Sequence, residues 1–130
     1  FKAGTGDRSL VVSYASSPPA EVIFADPPVT EAPTGVLLDS CFRQIEFAGI
    51  LAGTDHPDEA GALIDFLLSP TFQDDVPLQM FVFPVADSAT LPPEFVEHAR
   101  VADDPLILDP AEIEANRDAW TDRWVEIVLG

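Results

Sequence analysis

The stretch Asp7-Arg8-Ser9-Leu10-Val11-Val12-Ser13-Tyr14-Ala15-Ser16-Ser17-Pro18-Pro19 is the one on which the fold turns. Ser9 to Ser13 is a short apolar run entered from the polar turn Gly4-Thr5-Gly6-Asp7-Arg8. It reads as a buried strand with Tyr14 at its carboxyl end. Ser16-Ser17-Pro18-Pro19 then supplies a cap and first turn for a short helix reaching about Phe24, because proline is tolerated where the N–H has no intrahelical partner. In open α/β sheets the carboxyl ends of strands carry ligand contacts, so Tyr14 is a candidate binding residue.

Beyond this unit, Ala25 to Gly35 holds Pro27, Pro28 and Pro33, too much proline for a regular element, and reads as a crossover segment. Leu37 to Ile50 mixes apolar and polar residues, with Gln44 and Glu46 alternating around Ile45, and reads as a second strand. His56-Pro57-Asp58-Glu59 opens a helix whose Ala60, Leu63, Ile64, Leu67 and Leu68 share one face. Ser69-Pro70 stops it and starts another short helix with Phe72, which Val76-Pro77 breaks. Phe81-Val82-Phe83-Pro84-Val85 reads as a short extended segment, and Leu91 to Arg100 as a helix begun by Pro92-Pro93. Asp109-Pro110-Ala111-Glu112 is a capping box with aspartate as the cap. It announces a helix over about 110–128, with Ile113, Trp120, Trp124, Ile127 and Val128 in one stripe and the two tryptophans expected in the core.

Composition restricts the function. The 130 residues carry 6 Lys plus Arg against 23 Asp plus Glu, a net charge of −17, yet 47% of the chain is hydrophobic. High charge at this apolar content does not read as disorder. No basic face exists to displace counterions from phosphates, so nucleic acid is not an expected partner. The acidic coat repels anionic membrane surfaces and in the first place serves solubility. No run of 18 apolar residues occurs. Phe1-Lys2-Ala3-Gly4 resembles the last turn of a helix with a glycine cap, which implies that the chain begins inside a longer protein without its signal segment.

No enzyme signature emerges. His56 and His98 lack ligand-spaced partners, and no metal or cofactor is expected. Asp74-Asp75 and Asp103-Asp104 are ordinary acidic loops. Cys41, the single cysteine, lies in an apolar segment and reads as a buried structural thiol. Ser13, Ser16 and Ser17 lack the Gly-x-Ser-x-Gly elbow. Aromatic placement says more. Phe81 and Phe83 alternate, so one of them at most faces a ligand, and aromatic faces suit a flat heterocycle or a cation.

These segments together resemble the thiamine-binding periplasmic proteins of ABC importers. The resemblance rests on Asp7 to Pro18 and on Cys41-Phe42-Arg43-Gln44-Ile45-Glu46-Phe47-Ala48-Gly49-Ile50-Leu51. It continues through Ile64-Asp65-Phe66-Leu67-Leu68-Ser69-Pro70-Thr71-Phe72-Gln73 and Val76 to Val85, and ends with Asn116 to Trp120 plus Trp124. The helix and Ser-Pro signal is shared with polyamine and iron relatives. Ser-Tyr-x-x-Ser-Pro with Phe-x-Phe-Pro-Val favours the thiamine branch. The resemblance implies an α/β fold, the C-terminal part of a type II periplasmic-binding-protein fold with a three-layer αβα lobe. It implies residues 1–24 at the end of a second lobe, 25–35 as the hinge crossover and 36–130 returning to the first lobe. The chain would then be roughly 40% of a whole binding protein.

The resemblance also implies a function: an extracytoplasmic, non-enzymatic component that binds thiamine or thiamine phosphate by lobe closure and delivers it to an ABC permease. Its compartment would be periplasmic or extracellular, with a lipid anchor as one form of attachment. Tyr14 aligns with a tyrosine that packs against thiamine, and Phe81 with an aromatic that closes the pocket. Ser13 and Ser17 are carried as hydrogen-bonding candidates. Ala20 stands where some members have a further pocket tyrosine. The thiazolium cation asks for a carboxylate, for which Glu46 is a candidate beside the ordinary role of a surface charge. The alternatives are a polyamine-binding relative, an enzyme of the same architecture using Cys41, and a non-transport interaction module. A lone tyrosine argues against iron. Uncovered apolar faces would make a piece of this kind either self-associate or rearrange into a compact single domain that cannot close on ligand.

Overall fold

The computed structural model describes residues 9–130; the expected helix end at Phe1 to Gly4 and the turn Gly4 to Arg8 lie outside them. Six α-helices follow one another: α1 (Ser17–Ile23), α2 (Pro57–Leu67), α3 (Pro70–Gln73), α4 (Val76–Met80), α5 (Pro93–His98) and α6 (Pro110–Val128). A single 3-10 turn occupies Leu38–Ser40. Proline stands in the first two positions of every α-helix. There its fixed φ is already helical and its missing N–H costs nothing. The helix expected from His56-Pro57 is present as α2, that expected over Leu91 to Arg100 as the shorter α5, and that over about 110–128 as α6. Val76-Pro77, expected to break the helix of Phe72, instead opens α4, since α3 already ends at Gln73.

The expected α/β three-layer fold is not what the described residues form. Neither Ser9 to Ser13 nor Leu37 to Ile50 is a strand, and no sheet is present among the described residues. The one pairing is an isolated parallel bridge between Phe42 and Leu106, in which Arg43 N donates to Leu106 O (3.2 Å) and Leu106 N to Cys41 O (2.7 Å). The physical reason is that an apolar alternating segment specifies extended backbone, but a strand exists only through a partner's ladder of N–H and C=O groups. Here the extended segments run without one, and their large apolar residues, Val12 and Phe47 among them, stay exposed. Phe81 to Val85 is likewise not a strand.

A small core lies where α1 packs on α5 and the chain of α3 and α4 closes beside them. Pro19, Pro77 and Phe95 are fully buried, with Val76, Ala99 and Ala102 around them. Phe83 meets Phe95 edge-on at 5.9 Å, so Phe83 is the inward member of the aromatic pair. On the other side of this core α2 rests on α3 through Phe66 and Phe72, whose ring centres are 5.6 Å apart. Two polar side chains are buried with the apolar ones, Ser16 and Gln73. Gln73 Nε2 donates to Leu67 O (2.7 Å), while its Oε1 accepts from Val85 N (2.8 Å) and Ala86 N (3.2 Å). One glutamine thus ties the end of α2 to the segment that follows α4.

α6 is set by its own sequence rather than by packing. Asp109 caps it by accepting from Ala111 N at 2.7 Å, and the pairs Glu114–Arg117 (3.0 Å) and Arg123–Glu126 (2.6 Å) run along its exposed surface. It buries none of its residues. Trp120 and Trp124, expected in the core, are 42% and 55% exposed. The stripe is real, but none of its residues is buried. The chain as a whole exposes 10498 Å², whereas a folded monomer of 14.0 kDa exposes about 6,700 Å² by the usual mass scaling. No helix among the described residues is long and apolar enough to cross a membrane.

Candidate ligand-binding site

Beside this core the end of the first extended segment, the start of α1 and the end of α4 converge on one cavity of about 300 Å³. Its wall is made by Tyr14, Ser16, Ser17, Ala20, Glu46, Met80, Phe81 and Val82. The volume is at the lower end of that of small-molecule sites. Tyr14 and Ser17, three residues apart, are brought together here with Phe81, which lies far from both in the chain. Ser13 is not in the wall, but its hydroxyl is 2.6 Å from that of Ser17, so it holds a wall residue rather than the cavity itself. Among the described residues Glu46 contributes the one carboxylate of the wall.

Each wall residue is placed by local structure. Tyr14 O accepts from Ser17 N at 3.0 Å, a turn that swings the chain from its extended run into α1 and leaves the tyrosine ring 65% exposed. Ser17 is the first residue of α1 and Ala20 lies one turn on, so both face the same side. Phe81 ends α4 in the left-handed conformation (φ 54°, ψ 39°). Its ring meets that of Phe24, just past the end of α1, at 5.3 Å and 49°. The Ser16 hydroxyl donates to the Phe81 carbonyl oxygen.

An aromatic pair and one carboxylate around an open cavity can hold a flat cation: ring faces attract positive charge through their quadrupole, and the carboxylate supplies a full counter-charge. Cys41 is outside the cavity wall and half-exposed rather than buried, with its thiol 3.6 Å from Leu37 O. His56 and His98 each lie 3.8 Å from a glutamate, Glu59 and Glu97. Among the described residues no cluster of three or more His, Cys, Asp or Glu is suited to a metal ion.

Sequence reasoning missed Ser16, Met80 and Val82 as wall residues and Gln73 as the tie behind them. Met80 and Val82 flank Phe81 and came with it. Ser16 had a readable signal, the two prolines two and three places on. Gln73 had none, since a single glutamine in a helix–proline boundary has no pattern.

A second, shallower hollow runs along α6, lined by Ile113, Arg117, Trp120, Thr121 and Trp124. It belongs to the uncovered stripe of that helix.

No family model matches the chain, and no solved structure matches it. Among curated proteins it is similar to the thiamine-binding periplasmic protein of Escherichia coli (strain K12), at 30% identity over 123 residues, which covers 95% of this chain and 36% of that protein. The thiamine-binding periplasmic protein of Salmonella typhimurium gives the same figures. That of Brucella suis biovar 1 is 27% identical over 124 residues, covering 92% of this chain and 35% of its own length. Over nearly its whole length, then, the chain is similar to about one third of the length of thiamine-binding periplasmic proteins.

Proposed function

We propose that the chain is the portion of a periplasmic solute-binding protein that presents Tyr14, Phe81, Ser17 and, through Ser17, Ser13 to thiamine or a thiamine phosphate. The observation that carries this reading is the convergence of Tyr14, Phe81 and Glu46 in one wall. The two rings suit the aminopyrimidine and thiazolium faces, and Glu46 answers the fixed positive charge. The relatives are named for binding thiamine and for the periplasm, and the role is that of a carrier without covalent chemistry. Delivery to an ABC permease and closure of one body on another about residues 25–35 belong to the same proposal. The proline-rich composition of that crossover fits a fixed path between two bodies. A lipid anchor is one way such a protein is retained at the membrane.

Calorimetric titration of the natural full-length protein tests it. Thiamine is expected to bind, and Tyr14→Ala and Phe81→Ala are each expected to weaken it by about 5- to 30-fold, the worth of one desolvated cation–aromatic contact. Absence of heat at micromolar thiamine overturns the reading. A second reading, a polyamine, is favoured by the same carboxylate among aromatics. Competition between thiamine and spermidine separates the two, and displacement of thiamine by equimolar spermidine moves the assignment to the polyamine.

A further inference from the structure

Among the described residues Phe81 is the one non-glycine residue with positive φ. A side chain bearing a Cβ crowds its own carbonyl there, which is why helix ends ordinarily place glycine at this point. Such a conformation persists only where the surroundings fix it, and it collects at ligand clamps. Two contacts fix it here: the ring of Phe24 on the ring of Phe81, and the hydroxyl of Ser16 on the Phe81 carbonyl oxygen, from 65 positions away in the chain. Ser16 is 4% exposed, so its side chain is largely shielded from bulk water.

The sequence explains why this serine is free to make it. Ser16 occupies the cap position of α1, where a serine oxygen normally accepts from the N–H of the second or third helical residue. Those residues are Pro18 and Pro19, which have no N–H. The Ser16 side chain accordingly makes no bond to its own helix. The double proline that starts α1 therefore turns the hydroxyl outward, to α4.

We propose that Ser16 is a positioning residue of the cavity: released from capping by Pro18-Pro19, it pins Phe81 in the left-handed conformation and so holds the ring in the wall. The effect on ligand rests on the thiamine reading above; the pinning itself does not.

Two measurements on the natural full-length protein test this. In the first, thiamine affinity is measured in a double-mutant cycle. Ser16→Ala is expected to weaken binding about 5-fold with Phe81 in place, the worth of about one hydrogen bond. In the Phe81→Gly background, where no ring remains to be aimed, it is expected to change nothing. Equal loss in both backgrounds, or none in either, overturns the proposal. The second needs no ligand. With Phe81→Trp as the sole indole, in a background where every other tryptophan of the protein, Trp120 and Trp124 included, is changed to Phe, Ser16→Ala is expected to raise acrylamide quenching and Ser16→Thr to restore protection. Unchanged quenching overturns the pinning. Pinning seen in this second measurement, in a protein that does not bind thiamine, upholds Ser16 and refutes the thiamine reading alone.

Discussion

Replacing Gln73 by leucine removes the polar tie behind the site while keeping the volume nearly constant. Three hydrogen bonds are lost: one donated to Leu67 O and two accepted from Val85 N and Ala86 N. Each such bond contributes about 1 kcal/mol net, and a buried group left without its partner costs about 1–3 kcal/mol. Gln73 is 6% exposed, but Val85 is an exposed residue, so water can take over part of what its N–H loses. The sum is therefore about 2–3 kcal/mol, a factor of roughly 30–150 in the folded-to-unfolded ratio. Urea unfolding of the natural full-length protein, followed by circular dichroism, measures it. The same substitution is expected to weaken thiamine binding, because Val85 and Ala86 anchor the segment that begins at Phe81. A loss below about 0.5 kcal/mol would show that the glutamine is a passenger and that α4's exit is held by other contacts.

Three further outcomes are expected. Phe95→Ala, at a residue 1% exposed and edge-on to Phe83, should cost about 3–5 kcal/mol in thermal or urea unfolding; a cost under 1 kcal/mol places the core elsewhere. Ala20→Tyr adds a ring to the cavity wall and should tighten thiamine about 3- to 10-fold by calorimetry, since a stacked aromatic pair contributes about 0.5–1.5 kcal/mol beyond its area; unchanged or weaker binding contradicts the proposed orientation. Asp109→Ala removes the cap on Ala111 N and should cost about 1 kcal/mol of helix stability. Because α6 buries nothing, that loss should appear as reduced helicity at 222 nm, with the unfolding midpoint of the core unmoved.

Helices were legible in this sequence and pairing was not. Pro57 with Asp58 and Glu59, and Asp109 with Pro110, state where a helix starts within a few residues of chain, since capping and dipole effects are local. The run Leu10-Val11-Val12 states only that the backbone is extended. Whether it becomes a strand depends on a second segment that supplies N–H and C=O groups, and among the described residues only Phe42 and Leu106 meet in that way. The same limit explains Trp120 and Trp124. Their spacing gives a stripe, whereas burial needs a surface to receive it. Tyr14 is singled out from a strand end that does not form, and Ser17 and Phe81 from the resemblance and from aromatic chemistry. Yet the three line one cavity, because the turn into α1 and the end of α4 meet there with no sheet among the described residues. What holds Phe81 there was hidden, since a serine reaching across 65 positions leaves no periodic trace.

The large exposed surface has a calorimetric consequence. An unfolded chain of 14.0 kDa exposes about 20,000 Å², so unfolding from 10498 Å² uncovers only about 10,000 Å², against about 13,500 Å² for an ordinary monomer of this mass. Heat-capacity change and denaturant slope both scale with the area uncovered. For the 130 residues alone both should fall to about 70–75% of the values expected from chain length. A larger value would mean that Val12, Phe47 and the α6 stripe are covered in solution.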